Sequence, residues 1–119
     1  AIRETESLLR AADMAWFFGH YLGGRPELRG DPRVAPLRRR DLAEAPPTLI
    51  VTAEYDVLRS EAEAYAGRLA QAGVATLLET MPGVTHGALR LCNHVSTARE
   101  AIARIGDFVR QRVAAGKGQ

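Results

Sequence analysis

Two residues carry the strongest chemical signal in this chain. Asp56 and His86 each follow a short apolar segment, and His86 lies 30 positions after Asp56. A carboxylate that accepts the imidazole Nδ1–H fixes the tautomer and stabilises the imidazolium. It leaves Nε2 free to take a proton from a nucleophile. The order, aspartate before histidine, matches the tail of a Ser…Asp…His hydrolase. Taken singly, an aspartate after a strand is commonly a charge at a helix N-terminus, and a histidine in a turn is commonly a hydrogen-bonded support. Placed on adjacent strand ends, the pair points to catalysis instead, because functional residues of open α/β sheets gather at the carboxyl ends of strands.

Other reactive residues fit simpler roles. His20 and His94 lack partners at metal-ligand spacing, so no zinc site is expected. Cys92, the one cysteine, can form neither an internal disulfide nor a multi-thiolate metal site, and it is expected to be a small buried apolar residue. Arg38-Arg39-Arg40 has no interleaved aromatic and reads as a solvated loop. Glu54 and Tyr55 read as loop supports. Trp16-Phe17-Phe18 could line an acyl pocket, but the expectation is core on one face and packing against a further partner on the other. The serines are Ser7, Ser60 and Ser96, and none stands in a Gly-x-Ser-x-Gly turn.

The elements that must position Asp56 and His86 follow from periodicity. Residues 5–22 place Leu8, Ala11, Ala12, Ala15, Trp16, Phe18 and Leu22 at helical spacing, and Gly23-Gly24 ends the run. Residues 25–47 carry Pro26, Pro32, Pro36, Pro46 and Pro47 and read as a long irregular stretch. Residues 48–53, Thr-Leu-Ile-Val-Thr-Ala, are apolar on both faces, as in a strand buried within a parallel sheet. A helix follows, with Ser60 and Glu63 as a predicted capping box. Its apolar face is Ala62, Tyr65, Ala66, Leu69 and Ala72, and Gly73 is its stop. Residues 74–80 read as a second strand. Residues 96–113 read as a last helix with Ala98, Ile102, Ile105, Val109 and Val113 inward. Residues 116–119 are expected to fray.

The fold class is therefore α/β, a strand–helix–strand–helix order preceded by a helix and a long Pro-rich loop. Two parallel strands cannot cover a strand that is apolar on both faces, and both sheet edges would stay open. The expectation is a C-terminal portion of a larger parallel sheet. Three regions are expected: 1–30 as helix and loop, 31–115 as the α/β segment, and 116–119 as a flexible tail.

The stretch Ala45-Pro46-Pro47-Thr48-Leu49-Ile50-Val51-Thr52-Ala53-Glu54-Tyr55-Asp56-Val57-Leu58-Arg59 resembles the hormone-sensitive-lipase family of α/β-hydrolase esterases. So do Tyr65-Ala66, Leu69, Ala72-Gly73-Val74 and Pro82-Gly83-Val84-Thr85-His86-Gly87, and, ahead of them, Asp31-Pro32-Arg33-Val34-Ala35-Pro36-Leu37. The resemblance runs from about residue 31 to about residue 113, with the first helix fitting more loosely. It implies that Asp56 is the triad acid and His86 the triad base, with Val57, Leu58 and Ala88 near the substrate. It also implies acyl esters of short to medium chain as substrates, the remainder of a hydrolase domain as partner, and no metal or organic cofactor. Val57 replaces the family's usual Pro, Ser60 a common second Asp, and Ala88 the usual aromatic after His-Gly. The family's nucleophile elbow and its His- and Gly-rich oxyanion segment are not in these 119 residues. An oxyanion hole is commonly the largest electrostatic contribution to acyl transfer. The chain by itself is therefore expected to be a poor ester hydrolase.

Composition agrees with a globular segment. Apolar residues make up 46% and charged residues 25%, which argues against disorder, a collagen-like chain or a coiled-coil rod. No apolar run approaches the ~20 residues that span a bilayer, and no signal-peptide order is evident at the start. A net charge of +2, with Lys117 the only lysine, argues against a nucleic-acid partner. The single cysteine fits a reducing, cytoplasmic compartment. The rival to the esterase reading is a non-catalytic α/β segment whose role is assembly, pairing residues 74–78 edge to edge in a homodimer.

Overall fold

The computed structural model describes residues 9–116. Residues 5–8 of the expected first helix, and residues 117–119, lie outside the described residues. The described order is helix α1 (Ala11–Tyr21), strand β1 (Thr48–Tyr55), helix α2 (Arg59–Gln71), strand β2 (Thr76–Thr85) and helix α3 (Ser96–Gly116). Short 3-10 turns lie at Pro26–Gly30, Pro36–Arg38 and Ala88–Leu91. Strands β1 and β2 pair in parallel.

Strand β1 serves both faces of this pair. Ile50 packs with Leu42, Leu69 and Val74 on the α2 side. Val51 and Ala53 pack with Met81, Ala88 and Ala101 on the other side, where α3 supplies Ala101. Alternate residues of a strand point to opposite faces, so an apolar run lets one strand feed two cores. Between strands, the Thr52 and Thr80 hydroxyls bond at 3.0 Å, which satisfies the buried Thr52.

The Pro-rich stretch is more ordered than its composition suggests. Pro26 and Pro36 open 3-10 turns, where a preset φ is an asset. Arg68 of α2 donates to the carbonyls of Leu37 and Arg39, and Leu42 is buried against Leu69. The stretch is thereby fastened to α2.

Helix α2 ends as expected. Gly73 N–H bonds to Ala70 O at 3.0 Å and Val74 N–H to Leu69 O at 3.0 Å. This is the Schellman pattern, and Gly73 supplies its left-handed φ of 83°. The start of α2 differs from expectation. It begins at Arg59 with Leu58 as cap, so Ser60 falls inside the first turn and no side chain caps the helix. Glu63 binds the Arg59 guanidinium at 2.7 Å instead of completing a capping box.

Three other expectations need correction. Strand β2 spans 76–85 rather than 74–80 and takes in Pro82-Gly83-Val84, because the chain stays paired with β1 across an irregularity. On α3, Ala98 and Ala101 are buried but Ile102, Val109 and Val113 are exposed. The two-stranded sheet is too narrow to cover a helix of 21 residues. Cys92 is half-buried and free rather than buried.

Candidate active site

Asp56 and His86 are the first residues beyond β1 and β2, at the carboxyl ends of two adjacent parallel strands. Their side chains meet, with Asp56 Oδ2 2.8 Å from His86 Nδ1. The other carboxylate oxygen, Oδ1, accepts the Leu58 N–H at 3.0 Å. This Asx turn leads the chain into α2 and holds one carboxylate oxygen while the other meets His86. The Asp56 side chain is 13% exposed and that of His86 39%. A largely buried carboxylate thus backs an imidazole that still reaches solvent.

The register of the strand pair brings the two together. From Thr48 opposite Thr76 to Ala53 opposite Met81 the offset is a constant 28. Tyr55 then faces Thr85, an offset of 30. Two extra residues in β2, next to Pro82 and Gly83, make this bulge, and Gly83 takes a φ of 70°. Glu54 lies on β1 between the two pairings, and its Oε2 accepts the Gly83 N–H at 2.7 Å. Glu54 is therefore the loop support that its position suggested.

His86 lines a cavity of about 1090 Å³ between α1 and the Gly83–Leu91 segment. Trp16, Phe17, Val84, Ala88 and Leu91 share the lining, with Arg10 and Asp13 also contributing. Ala88 therefore lines the cavity, whereas Val57 and Leu58 are not among its lining residues. The aromatic run divides between two faces: Phe18 is half-buried, while Trp16, 60% exposed, and Phe17, 53% exposed, line the cavity. Successive helical residues point about 100° apart, so Trp16-Phe17-Phe18 cannot share one buried face. That spacing was the available signal for the cavity wall. The Trp16 and Phe17 rings meet edge to face at 5.1 Å. Nearby, Asp13 accepts the Arg10 backbone N–H at 2.9 Å, and this bond holds its carboxyl below the usual range.

Among the described residues, no group of three or more metal-ligating side chains is placed to hold an ion. No helix there is long and apolar enough to cross a membrane.

Comparison with known proteins identifies the fold family. A family model described as the alpha/beta hydrolase fold matches residues 1–90. An ethyl acetate hydrolase from Pseudomonas putida is 36% identical over 106 residues, which cover 89% of this chain and 33% of that protein. A solved thermophilic and thermostable carboxylesterase cloned from a metagenomic library superposes with a TM-score of 0.84 at 36% identity, covering 88% of this chain and 35% of that one. A hyperthermophilic esterase from the archaeon Pyrobaculum calidifontis superposes with a TM-score of 0.78 at 34% identity, covering 89% and 33%. The chain thus spans about a third of the length of these relatives. Its parallel strand pair with flanking helices is consistent with a C-terminal portion of the fold, and the chain belongs to the α/β-hydrolase family, resembling its hormone-sensitive-lipase-type esterases.

Proposed function

We propose that this chain supplies the acid and base of a Ser-His-Asp triad to a carboxylic ester hydrolase. The observation that carries the reading is the 2.8 Å contact of Asp56 with His86 Nδ1 above the strand ends. An ionised carboxylate only accepts hydrogen bonds, so it selects the tautomer with the proton on Nδ1. The Nε2 lone pair then takes the proton from a serine hydroxyl as the oxygen attacks the ester carbonyl. The imidazolium, held by Asp56, returns that proton to the leaving alkoxide. Water repeats the cycle on the acyl-enzyme. The serine and the oxyanion donors come from sequence beyond these 119 residues. Trp16, Phe17, Val84 and Ala88 form an apolar wall suited to an acyl or alcohol group.

A graft tests this reading. The chain replaces the matching third of the metagenomic carboxylesterase, and hydrolysis of a p-nitrophenyl ester is followed. Activity that disappears on His86→Ala is the expected result. A graft that folds, and whose activity is indifferent to His86→Ala, removes the proposal. The isolated chain is expected to show no turnover above buffer.

The exposed Leu77 and Leu78 of β2, with Ile102, Val109 and Val113 of α3, favour a second role in assembly. Two copies would pair through the edge of β2 that meets no other strand among the described residues, bringing these side chains near the partner copy. Sedimentation of the chain distinguishes the outcomes: a dimer unaffected by His86→Ala supports this role, and a monomer at high concentration removes it.

A further inference from the structure

The two-residue bulge in β2 has a geometric consequence for the site. Had the offset of 28 continued, Asp56 would face Val84. His86 would then lie two residues too far along the strand, about 6.6 Å at the ~3.3 Å rise of a parallel strand. That distance is incompatible with the 2.8 Å contact. The bulge brings Asp56 and His86 opposite each other.

A bulge in a parallel pair breaks the ladder and leaves backbone groups without strand partners. Pro82 has no N–H to offer, and Gly83 turns the chain through a positive φ. The N–H of Gly83 is taken by a side chain from the neighbouring strand, Glu54, at 2.7 Å. Glu54 is itself set by its strand position and by its carbonyl, which accepts from the Arg59 guanidinium at 3.4 Å. A bond to an ionised acceptor is roughly twice as strong as a neutral one. It spans the strands at the point where the register changes.

We propose that Glu54 is a positioning residue: by holding the Gly83 N–H across the β2 bulge, its carboxylate keeps His86 in register with Asp56. The catalytic consequence rests on the triad reading above, whereas the geometric one does not. The test therefore uses two readouts. In the full 119-residue chain, Glu54→Ala should speed Gly83 amide exchange about tenfold. It should also shift the His86 ring ¹⁵N resonances away from the Nδ1–H tautomer. Glu54→Gln keeps an acceptor oxygen, though a neutral one, and should hold both signals closer to the parent than to Glu54→Ala. Should Glu54→Ala unfold the chain, Glu54→Asp provides the same test: its shorter side chain keeps the charge but loses the reach. In the grafted esterase, Glu54→Ala should lower kcat about a hundredfold with little change in KM, as expected for a base misplaced by about an ångström. Glu54→Gln should recover most of that loss.

The proposal is overturned if the shortened variant leaves Gly83 exchange and the His86 ring signals unchanged. It is also overturned if Glu54→Gln behaves like Glu54→Ala. A graft that is inactive in every variant, while the ring signals respond as described, sinks the triad reading and leaves the positioning role standing.

Discussion

Asp56→Asn is the most discriminating substitution at this site, because the structure dictates which way the new amide must face. Asp56 Oδ1 accepts the Leu58 N–H at 3.0 Å while Oδ2 meets His86 Nδ1 at 2.8 Å. An asparagine has one acceptor oxygen. Directed at Leu58, that oxygen leaves the NH₂ facing Nδ1, and the imidazole must carry its proton on Nε2. Such a tautomer cannot take a proton from a serine. The flipped amide restores the tautomer but sets NH₂ against the Leu58 N–H. An unsatisfied donor costs roughly 1–3 kcal/mol, so the competent form falls to between about 1 in 5 and 1 in 150. Loss of the carboxylate that stabilises the imidazolium adds to this, and a triad that loses its acid in this way falls by about 10⁴ in kcat. The fall in the grafted esterase should therefore lie between about 10² and 10⁴, with KM little changed. The His86 ring ¹⁵N shifts, read where the imidazole is neutral, should move from the Nδ1–H to the Nε2–H pattern. Activity within a factor of five of the parent, or a histidine still protonated on Nδ1, would refute the reasoning.

Three further outcomes follow from the fold. Leu69 is fully buried between Leu42 and Val74, so Leu69→Ala should cost about 2–5 kcal/mol, read as a shift in the urea unfolding midpoint. Gly83 has a φ of 70°, and the space a methyl group would take there is open to 4 Å, so Gly83→Ala meets backbone strain rather than a clash. It should cost about 1–2 kcal/mol by the same measurement. The Arg33 side chain, and then the Arg33 backbone N–H, lower the Asp31 carboxyl from its ordinary 3.8 to about 2. A depressed carboxyl favours folding above its ordinary value, and that contribution fades as pH falls through about 2. Arg33→Ala should raise the Asp31 titration, followed by carboxyl ¹³C NMR, only part of the way, because the residue 33 N–H remains.

Local pattern revealed the elements that position the site. The apolar run of β1 and the 3.6-residue face of α2 with its glycine stop are short-range features, and the structure shows both. The order of Asp56 and His86 at successive strand ends was equally legible. The predicted capping box failed because the helix starts two residues earlier, with Leu58 rather than Ser60 as its cap, Asp56 Oδ1 accepting the Leu58 N–H and Glu63 binding Arg59. Of the expected inward face of α3, Ala98 is buried and Ile105 half-buried while Ile102, Val109 and Val113 are exposed, since periodicity marks a face as apolar without saying what covers it.

The sequence by itself determined the α/β class, the parallel pairing implied by a strand apolar on both faces, and the residue types able to relay a proton. Tertiary structure alone decided that β2 carries two extra residues between Met81 and Thr85, that Glu54 bridges to Gly83 there, and that Trp16 and Phe17 line one cavity with His86. The reason is physical. Helix and strand preferences come from neighbours a few positions apart, whereas register and cavity walls come from contacts between residues far apart in the chain, 29 positions in the case of Glu54 and Gly83, which no local period encodes.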